Sequence, residues 1–245
     1  MRILALDSSG LVASVAVVEK DGEETSTIAE YTVNYKKTHS QTLLPMLDEI
    51  AHMTELDLNT VDAIAVAGGP GSFTGLRIGS ATAKGLGLAL KKPLIHIPTL
   101  EGLAYNLWGT DKIVCPIMDA RRGQVYTGIY EFDGSELRVL EDQMAVSIEE
   151  LGEKLKQYNR PVVFLGDGVP VFRKRLVTEI MPESDLHFAP ASMNRQRAAS
   201  VGSLAIRYYE EGKTETAVEH QPDYLRVSQA ERERAERERA KQEAR

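Results

Sequence analysis

The sequence predicts an α/β protein in which a β-β-β-α-β-α-β-α unit occurs twice along 245 residues. Short apolar runs rich in β-branched residues alternate with amphipathic helical patterns, which is typical of α/β folds. Turn signals separate the first three strands of each half. The second half then repeats the order of elements without repeating the residues of the first. These observations indicate two lobes, which we place at residues 1–108 and 109–226.

In the first lobe, three antiparallel strands precede the helices. We expect strands at 1–7, 11–19 and 25–33, a helix from about 39, a strand at 61–67, a helix at 73–90, a strand at 93–97 and a helix at 100–108. Lys20-Asp21-Gly22-Glu23 is a hairpin signal. Ser40 is expected to cap the first helix.

The second lobe is expected to follow the same order. Its predicted elements are strands at 113–118, 124–132 and 136–146, a helix at 148–158, a strand at 162–165, a helix at 171–180, a weak strand at 186–188 and a helix at about 192–211. This last helix is expected to pack back on the first lobe. Residues 227–245 are almost wholly charged residues, alanine and glutamine, and are predicted to form a solvated helix or a disordered tail.

A glycine-rich stretch, Ala67–Gly79, joins the buried strand at 61–67 to the helix at 73–90. A strand, a glycine turn and a helix N-terminus leave backbone N–H groups aimed at one place, where an anion can bind. The simpler interpretation is a tight turn whose glycines let the helix pack close to the sheet. The spacing matches neither a Walker A loop nor the G-x-G-x-x-G fingerprint, and it favours the simpler interpretation.

Composition narrows the function classes. The net charge of −7 argues against strong, direct binding of nucleic acid, which usually needs a basic surface. The single cysteine, Cys115, excludes a disulfide framework and reads as a core residue, which fits a reducing cytoplasm. The apolar stretches are too short to cross a bilayer, and no signal peptide is expected. No two of the five histidines have a metal-binding spacing, so we expect no metal site.

The duplicated three-strand meander is the layout of the actin-like and sugar-kinase ATPases. In that layout the turn after the first strand, Asp7 to Gly10, faces the phosphates. The alternative is that Asp7 and Ser8 bond the backbone of their own turn. The candidate phosphate-facing residues are Asp7, Ser8, Gly69, Gly71, Ser72 and Thr74. Asp119 with Arg121 and Arg122 could bind a phosphate or a carboxylate of a partner, or form a local ion pair.

Four motifs stand out: Ile3–Ser9 (ILALDSS), Gly69–Gly79 (GPGSFTGLRIG), Met118–Arg122 (MDARR) and Pro222–Arg226 (PDYLR). Together they closely resemble the bacterial TsaB (YeaZ) family. The resemblance implies an actin-like ATPase fold (ASKHA, ribonuclease H-like) and a role in making N6-threonylcarbamoyladenosine (t6A) at position 37 of transfer RNAs. It also implies a non-catalytic partner of TsaD that works with the ATPase TsaE, while TsaC supplies threonylcarbamoyl-adenylate.

The resemblance further implies why this chain would lack catalysis. TsaD proteins carry an H-x-E-G-H metal site, and the comparable stretch here is Thr99-Leu100-Glu101-Gly102-Leu103. Threonine and leucine offer no imidazole, so this chain is not expected to hold that metal. No intrinsic cofactor is implied, although ATP or ADP could lie at the junction with a partner.

The implied partners are TsaD in a heterodimer, TsaE, and a second copy of the chain when TsaD is absent. Transfer RNA would be reached only through the complex, in the cytoplasm and away from any membrane. The helices from Ser40 and Thr74 resemble the family's pairing surface. The interface candidates are His39, Leu43, Leu47, Leu76, Arg77, Gly79 and Ala83. The small and apolar residues in this set are predicted to lie at the interface instead of in the core.

Three other functions remain open at this point. An ATP-dependent small-molecule kinase of the sugar-kinase class needs an acidic base and a full adenosine pocket in the second lobe, where the turn Gly166-Asp167-Gly168 is degenerate. A metallopeptidase needs a bound metal. A regulatory protein with other partners is the third alternative.

Overall fold

The computed structural model describes residues 1–35 and 38–225, so the predicted charged tail at 227–245 lies outside the described residues. The first sheet has the order β3-β2-β1-β4-β5, with the first three strands antiparallel and β4 and β5 parallel to β1. Its strands are β1 (Arg2–Asp7), β2 (Ala13–Asp21), β3 (Glu24–Val33), β4 (Ala63–Gly69) and β5 (Leu94–Pro98). The helices that accompany it are α1 (His39–Met53), α2 (Phe73–Leu90) and α3 (Thr99–Ala104).

The second sheet repeats this arrangement with the order β8-β7-β6-β9-β10. Its strands are β6 (Ile113–Arg121), β7 (Gln124–Asp133), β8 (Glu136–Ser147), β9 (Val162–Leu165) and β10 (Leu186–Phe188). The remaining helices are α4 (Ile148–Lys156), α5 (Val169–Arg175) and α6 (Ala198–Glu210). The two mixed five-stranded sheets have the same strand order. This confirms the predicted duplication and the actin-like (ASKHA, ribonuclease H-like) architecture.

The central strand β1 is apolar on both faces because helices cover the first sheet on both sides. Successive side chains of a strand point to opposite faces. Ile3 and Ala5 therefore lie in one core cluster with residues of α3 and α6. Leu4 and Leu6 lie in a second cluster with residues of α1 and α2. A third cluster fills the space around β6, β9, α4 and α5.

Helix α6 comes from the second half of the chain but packs on the first sheet, against β1 and β2. The amide of Ala198 donates a hydrogen bond to Ser14 Oγ at 2.9 Å, and Arg197 forms an ion pair with Glu30 of β3. At Gly202 a Cβ atom would lie 2.6 Å from Val18 Cγ2, so only glycine lets the helix approach β2 this closely.

The predicted start of this last helix, about residue 192, is wrong by six residues. Residues 192–197 form a loop that bonds the second lobe instead. The Asn194 carbonyl accepts from the Gly166 amide at 3.0 Å, and Arg195 Nη1 donates to the Gly166 carbonyl at 2.7 Å. The backbone at Arg197 is extended, and α6 begins only at Ala198.

Other boundaries also shift. Strand β2 begins two residues later than predicted, and Ser40 is not a cap because α1 already begins at His39, after Thr38. The helix expected at 100–108 ends at Ala104 and continues as a 3-10 turn. The last turn of the helix expected to end at 180 is a π-helix over Leu176–Ile180, preceded by α5.

Candidate functional site

The turn after β1 holds a buried carboxylate. Asp7 is 1% exposed, and its Oδ1 accepts hydrogen bonds from the Ser9 amide at 2.9 Å and the Ser9 hydroxyl at 2.7 Å. Burial raises the pKa of Asp7 to about 6, against the opposing effect of the two Ser9 hydrogen bonds and of nearby His39. The local bonds match the alternative in which Asp7 bonds its own turn.

Replacing Asp7 with asparagine is expected to stabilise the protein at pH 7 by about 1–3 kcal/mol. The amide oxygen of the introduced side chain can accept the same two bonds, while the buried charge is removed. Because the folded-state pKa is raised from 3.8 to about 6, the folded protein binds the extra proton between these values. Wild-type stability should therefore fall as the pH rises from about 4 to about 6 and then level off.

Urea unfolding between pH 4 and 8 measures this effect. The slope contributed by Asp7 should disappear in Asp7→Asn, whereas Asp48→Asn, an exposed change on α1, should leave the profile unchanged. An Asp7→Asn variant that is less stable than wild type at pH 7 would show that the charged carboxylate is favourable in the fold.

The glycine turn packs directly on residues 8 and 9. A Cβ atom at Gly71 would overlap the Ser9 carbonyl oxygen, and one at Gly75 would overlap the Ser8 carbonyl oxygen. Ser8 Oγ donates to the Gly75 carbonyl at 2.9 Å. These contacts need positions without side chains in the turn before α2 and in its first helical turn, so they support the simpler interpretation of the glycines, close packing of helix and sheet.

The amides at the start of α2 are partly engaged by the chain itself. The Ser72 amide donates to the Ser9 carbonyl at 2.6 Å, and the Ser72 hydroxyl caps the helix by accepting from the Gly75 amide at 3.3 Å. The Gly69 amide donates to Thr99 Oγ1 at 3.0 Å, and Thr74 is exposed in the first turn. The predicted phosphate-facing residues thus converge, but they mainly bond one another and neighbouring backbone.

Most of the predicted interface residues lie in the core of the folded chain. Amphipathic patterns identify the apolar face of a helix but not what covers it. In this fold the first sheet covers that face, and the five residues on it are buried. They are Leu43, Leu47, Leu76, Gly79 and Ala83.

Two predicted interface residues stay accessible. His39 is half-buried and pairs through Nε2 with the Gly10 carbonyl at 2.8 Å. Arg77 is exposed on α2, and its guanidinium lies 4.0 Å from the centre of the Phe73 ring, within cation–π range. That ring in turn lies 4.7 Å from the ring of Tyr224.

Helices α1 and α2 also carry apolar side chains on their outer surface. Leu44 is 53% exposed and Leu88 63% exposed. We call Leu44, Phe73 and Arg77 of these helices, together with Tyr224, whose ring contacts Phe73, the outer helix residues. Of these four, only Arg77 was predicted from the sequence. The pattern of a mostly apolar helix does not show whether a given apolar side chain faces the core or the solvent.

The second lobe has a counterpart of the Asp7 turn. Asp119 lies near the end of β6, and its amide donates to Asp167 Oδ1 at 2.9 Å. Burial raises the pKa of Asp167. Arg121 bonds the Asp119 carboxylate through its amide at 2.8 Å and its guanidinium at 3.1 Å. The local ion pair that was one interpretation of this motif is confirmed, while Arg122 is exposed beside it.

Gln196 connects the turns of the two lobes. It is 1% exposed, its Nε2 approaches Met118 Sδ at 3.6 Å, and a Cβ atom at Gly10 would lie 2.6 Å from the same nitrogen. Its Oε1 is buried with no hydrogen-bond partner among the described residues. No motif or spacing in the sequence pointed to this residue.

The stretch Thr99 to Leu103 does not fit a metal site of the H-x-E-G-H kind. Thr99 is fully buried and accepts the Gly69 amide bond, while Leu103 is 1% exposed in the core. Glu101 accepts from the Tyr208 hydroxyl at 2.6 Å, and burial raises its pKa. Neither the threonine nor the leucine can supply an imidazole nitrogen. Both positions instead contribute to packing.

The part of the chain that the structure describes contains no helix that combines the length and the apolar character needed to span a membrane. Cys115 is buried in β6, as predicted, and burial raises the pKa of its thiol to about 12. Such a thiol is inert at neutral pH.

Comparison with known proteins identifies relatives over nearly the whole chain. A family model described as TsaD, tRNA N6-adenosine threonylcarbamoyltransferase, matches residues 26–234. The tRNA threonylcarbamoyladenosine biosynthesis protein TsaB of Bacillus subtilis is 33% identical over 234 residues, covering 94% of this chain and 96% of that protein. The protein of the same name from Escherichia coli is 33% identical over 231 residues, covering 92% and 95%.

Solved structures agree with this relationship. A crystal structure of an uncharacterized Pseudomonas aeruginosa protein with similarity to peptidase YEAZ superposes with a TM-score of 0.78 at 27% identity, covering 92% of this chain and 99% of that one. A structure described as YeaZ from Pseudomonas aeruginosa gives a TM-score of 0.76 at 27% identity, covering 91% and 99%.

Proposed function

Because the chain belongs to the TsaB (YeaZ) family of t6A biosynthesis proteins, which is related to the TsaD family, we propose that it is a cytoplasmic, non-catalytic scaffold or activator subunit. The family is generally a non-catalytic component of this pathway. The complex it serves transfers threonylcarbamoyl from threonylcarbamoyl-AMP to N6 of adenosine 37, in transfer RNAs that read codons beginning with A.

The observation that carries the proposal is the chemistry of Thr99 and Leu103. At the two positions comparable to the metal-binding histidines of TsaD, this chain has a hydroxyl that accepts a backbone hydrogen bond and an alkyl side chain within the core. A metal-dependent transfer would need nitrogen ligands there. The chain therefore supports the reaction by binding the subunit that holds the catalytic site.

The outer helix residues are the pairing surface in this proposal. Leu44 and the contacting group of Phe73, Arg77 and Tyr224 combine apolar area, aromatic rings and an arginine, and interfaces are enriched in aromatic residues and arginine. TsaD binds there in the heterodimer, and a second copy binds there when TsaD is absent. TsaE joins the complex, any ATP or ADP lies at the partner junction, and transfer RNA is reached only through the complex.

An omit-one reconstitution tests the proposal. TsaC, TsaD, TsaE, threonine, bicarbonate, ATP and unmodified transfer RNA are combined with and without this chain, and modified adenosine is quantified. Modification is expected only when this chain is present, and not when it is combined with TsaC alone. Equal modification in the absence of this chain would overturn the assignment. The alternative function, an independent ATP-dependent small-molecule kinase, would then have to be tested.

A further inference from the structure

The segment that follows α6 runs back along the first lobe and brings acidic and imidazole side chains to the edge strand β5. Glu215 pairs with Leu94 of β5 through two backbone hydrogen bonds of 2.8 and 2.9 Å. Farther along, the Asp223 amide donates to the Gly68 carbonyl at 2.7 Å. We call residues 214–225 the C-terminal strap. It crosses the edge of the sheet at the glycine turn.

Three potential metal ligands meet beneath this strap. His96 comes from β5, and Glu215 and His220 come from the strap. Each offers one ligand atom, and these three atoms lie within 4.8 Å of one another. The sequence spacing had predicted no metal site, because His96 lies more than one hundred residues from the other two and only the fold brings them together.

Contacts at its ring and its backbone hold His220 in one orientation. Its side chain is fully buried, and its Nδ1 lies 2.6 Å from Glu215 Oε1. Its backbone is also fixed, since its carbonyl accepts from Lys84 Nζ at 2.7 Å and its amide donates to the Thr216 carbonyl at 3.1 Å. In the neutral ring, with Nδ1–H donating to the carboxylate, the lone pair lies on Nε2.

That Nε2 atom is buried and has no hydrogen-bond partner among residues 1–35 and 38–225. Buried polar atoms in proteins are nearly always paired with protein, water or an ion, and an unpaired one calls for an explanation. A carboxylate that holds one nitrogen of a histidine while the other nitrogen binds a metal is a recurrent arrangement in metalloproteins.

His96 presents the second imidazole. Its ring centre lies 5.7 Å from that of His220, with the planes tilted by 52°. Its ring packs so tightly on the glycine turn that a Cβ atom at Gly68 would overlap it. Burial lowers the pKa of His96, which favours the neutral ring that metal binding requires.

The ligand types select among metals. Two imidazoles beside a carboxylate suit Zn²⁺ and its neighbours in the first transition row. Mg²⁺ and Ca²⁺ prefer oxygen ligands and would find only one carboxylate here. An anion is disfavoured, because Glu215 and Asp223 act on His96 as negative charges.

We propose that His96 and His220 bind a divalent transition-metal ion of the Zn²⁺ class, with Glu215 as the carboxylate that orients His220. This site is separate from the stretch comparable to the TsaD metal site, and it does not depend on the proposed function. The bound ion joins the C-terminal strap to β5 and so stabilises the path of the strap past the glycine turn.

Zn²⁺ titration of the full-length, untagged protein after chelator treatment tests the site, with binding followed by calorimetry and by thermal unfolding. Wild type should bind one equivalent with a rise in melting temperature. His96→Gln and His220→Gln should lose this binding, and Glu215→Gln should weaken it about 10–100-fold. His52→Gln, an exposed change on α1, is the matched control and should bind as wild type does.

Absence of saturable binding in wild type would overturn the proposal, as would unchanged binding by His96→Gln. Zn²⁺ binding by His96→Gln is the decisive measurement, because replacing the half-buried His96 disturbs the fold less than replacing the fully buried His220. Unchanged binding by His52→Gln together with loss in His96→Gln supports the site. Loss in both would assign the binding to surface histidines and overturn it.

Discussion

Replacing Leu47 with aspartate is expected to unfold the protein, whereas the same change at Leu44, three positions earlier on α1, should leave the fold intact and remove partner binding. Leu47 is 6% exposed in the core beneath α1, while Leu44 is 53% exposed. A carboxylate at 47 would be buried without a partner in the place of a packed leucine, at a cost of about 3–5 kcal/mol. The helix propensity change is the same at both positions.

Three measurements separate the two variants: urea unfolding, co-elution with TsaD and modified adenosine in the reconstituted reaction. For Leu44→Asp we expect a free energy of unfolding within about 1 kcal/mol of wild type and no stable complex with TsaD. Wild-type complex formation by a folded Leu44→Asp would move the pairing surface away from α1. A Leu47→Asp variant that unfolds with wild-type cooperativity and midpoint would contradict the burial of that side chain.

Replacing Gly75 with alanine is expected to destabilise the protein even though alanine is the better helix former. The new methyl group would overlap the carbonyl oxygen of Ser8, a backbone atom fixed in the turn after β1. Overpacking of this kind costs about 1–3 kcal/mol. The turn must move or α2 must withdraw from the sheet, and either change stretches the 2.9 Å bond from Ser8 Oγ to the Gly75 carbonyl.

Gly85 on the same helix provides the matched control. No atom lies within 4 Å of a Cβ at that position, so Gly85→Ala should stabilise the protein by about 1 kcal/mol through helix propensity alone. Urea unfolding of both variants measures the contrast. Equal stabilisation by the two substitutions would show that the turn after β1 yields without cost and that close packing is not why position 75 carries glycine.

The secondary structure was largely predictable because it depends on local patterns. The bounds of α2, β9 and β10 match the predicted ranges. Each of these signals lies within a few residues of the element it defines. The start of α6 was missed because Arg195 and Asn194 bond the second lobe, and such long-range bonds leave no mark on helical periodicity.

The candidate site was predictable only in part, for a related reason. The sequence assigned Asp7 and Ser8 to the same phosphate-facing set as the glycine turn, because the actin-like layout places the turn after the first strand near the phosphates. It could not separate Leu44 from Leu47, because an apolar helix face looks the same whether a sheet or a partner covers it. It also missed His96, Glu215 and His220, whose proximity depends on how the C-terminal strap returns to β5.

The packing of α6 on the first sheet has a consequence for synthesis on the ribosome. The strands of that sheet are complete at Pro98, but α6 starts at Ala198, about one hundred residues later. At translation rates of about 5–20 residues per second, the nascent chain exposes the apolar surface of β1 and β2 for roughly 5–20 seconds before its cover emerges. The first sheet therefore cannot bury this surface against α6 until the second half of the chain has been synthesised.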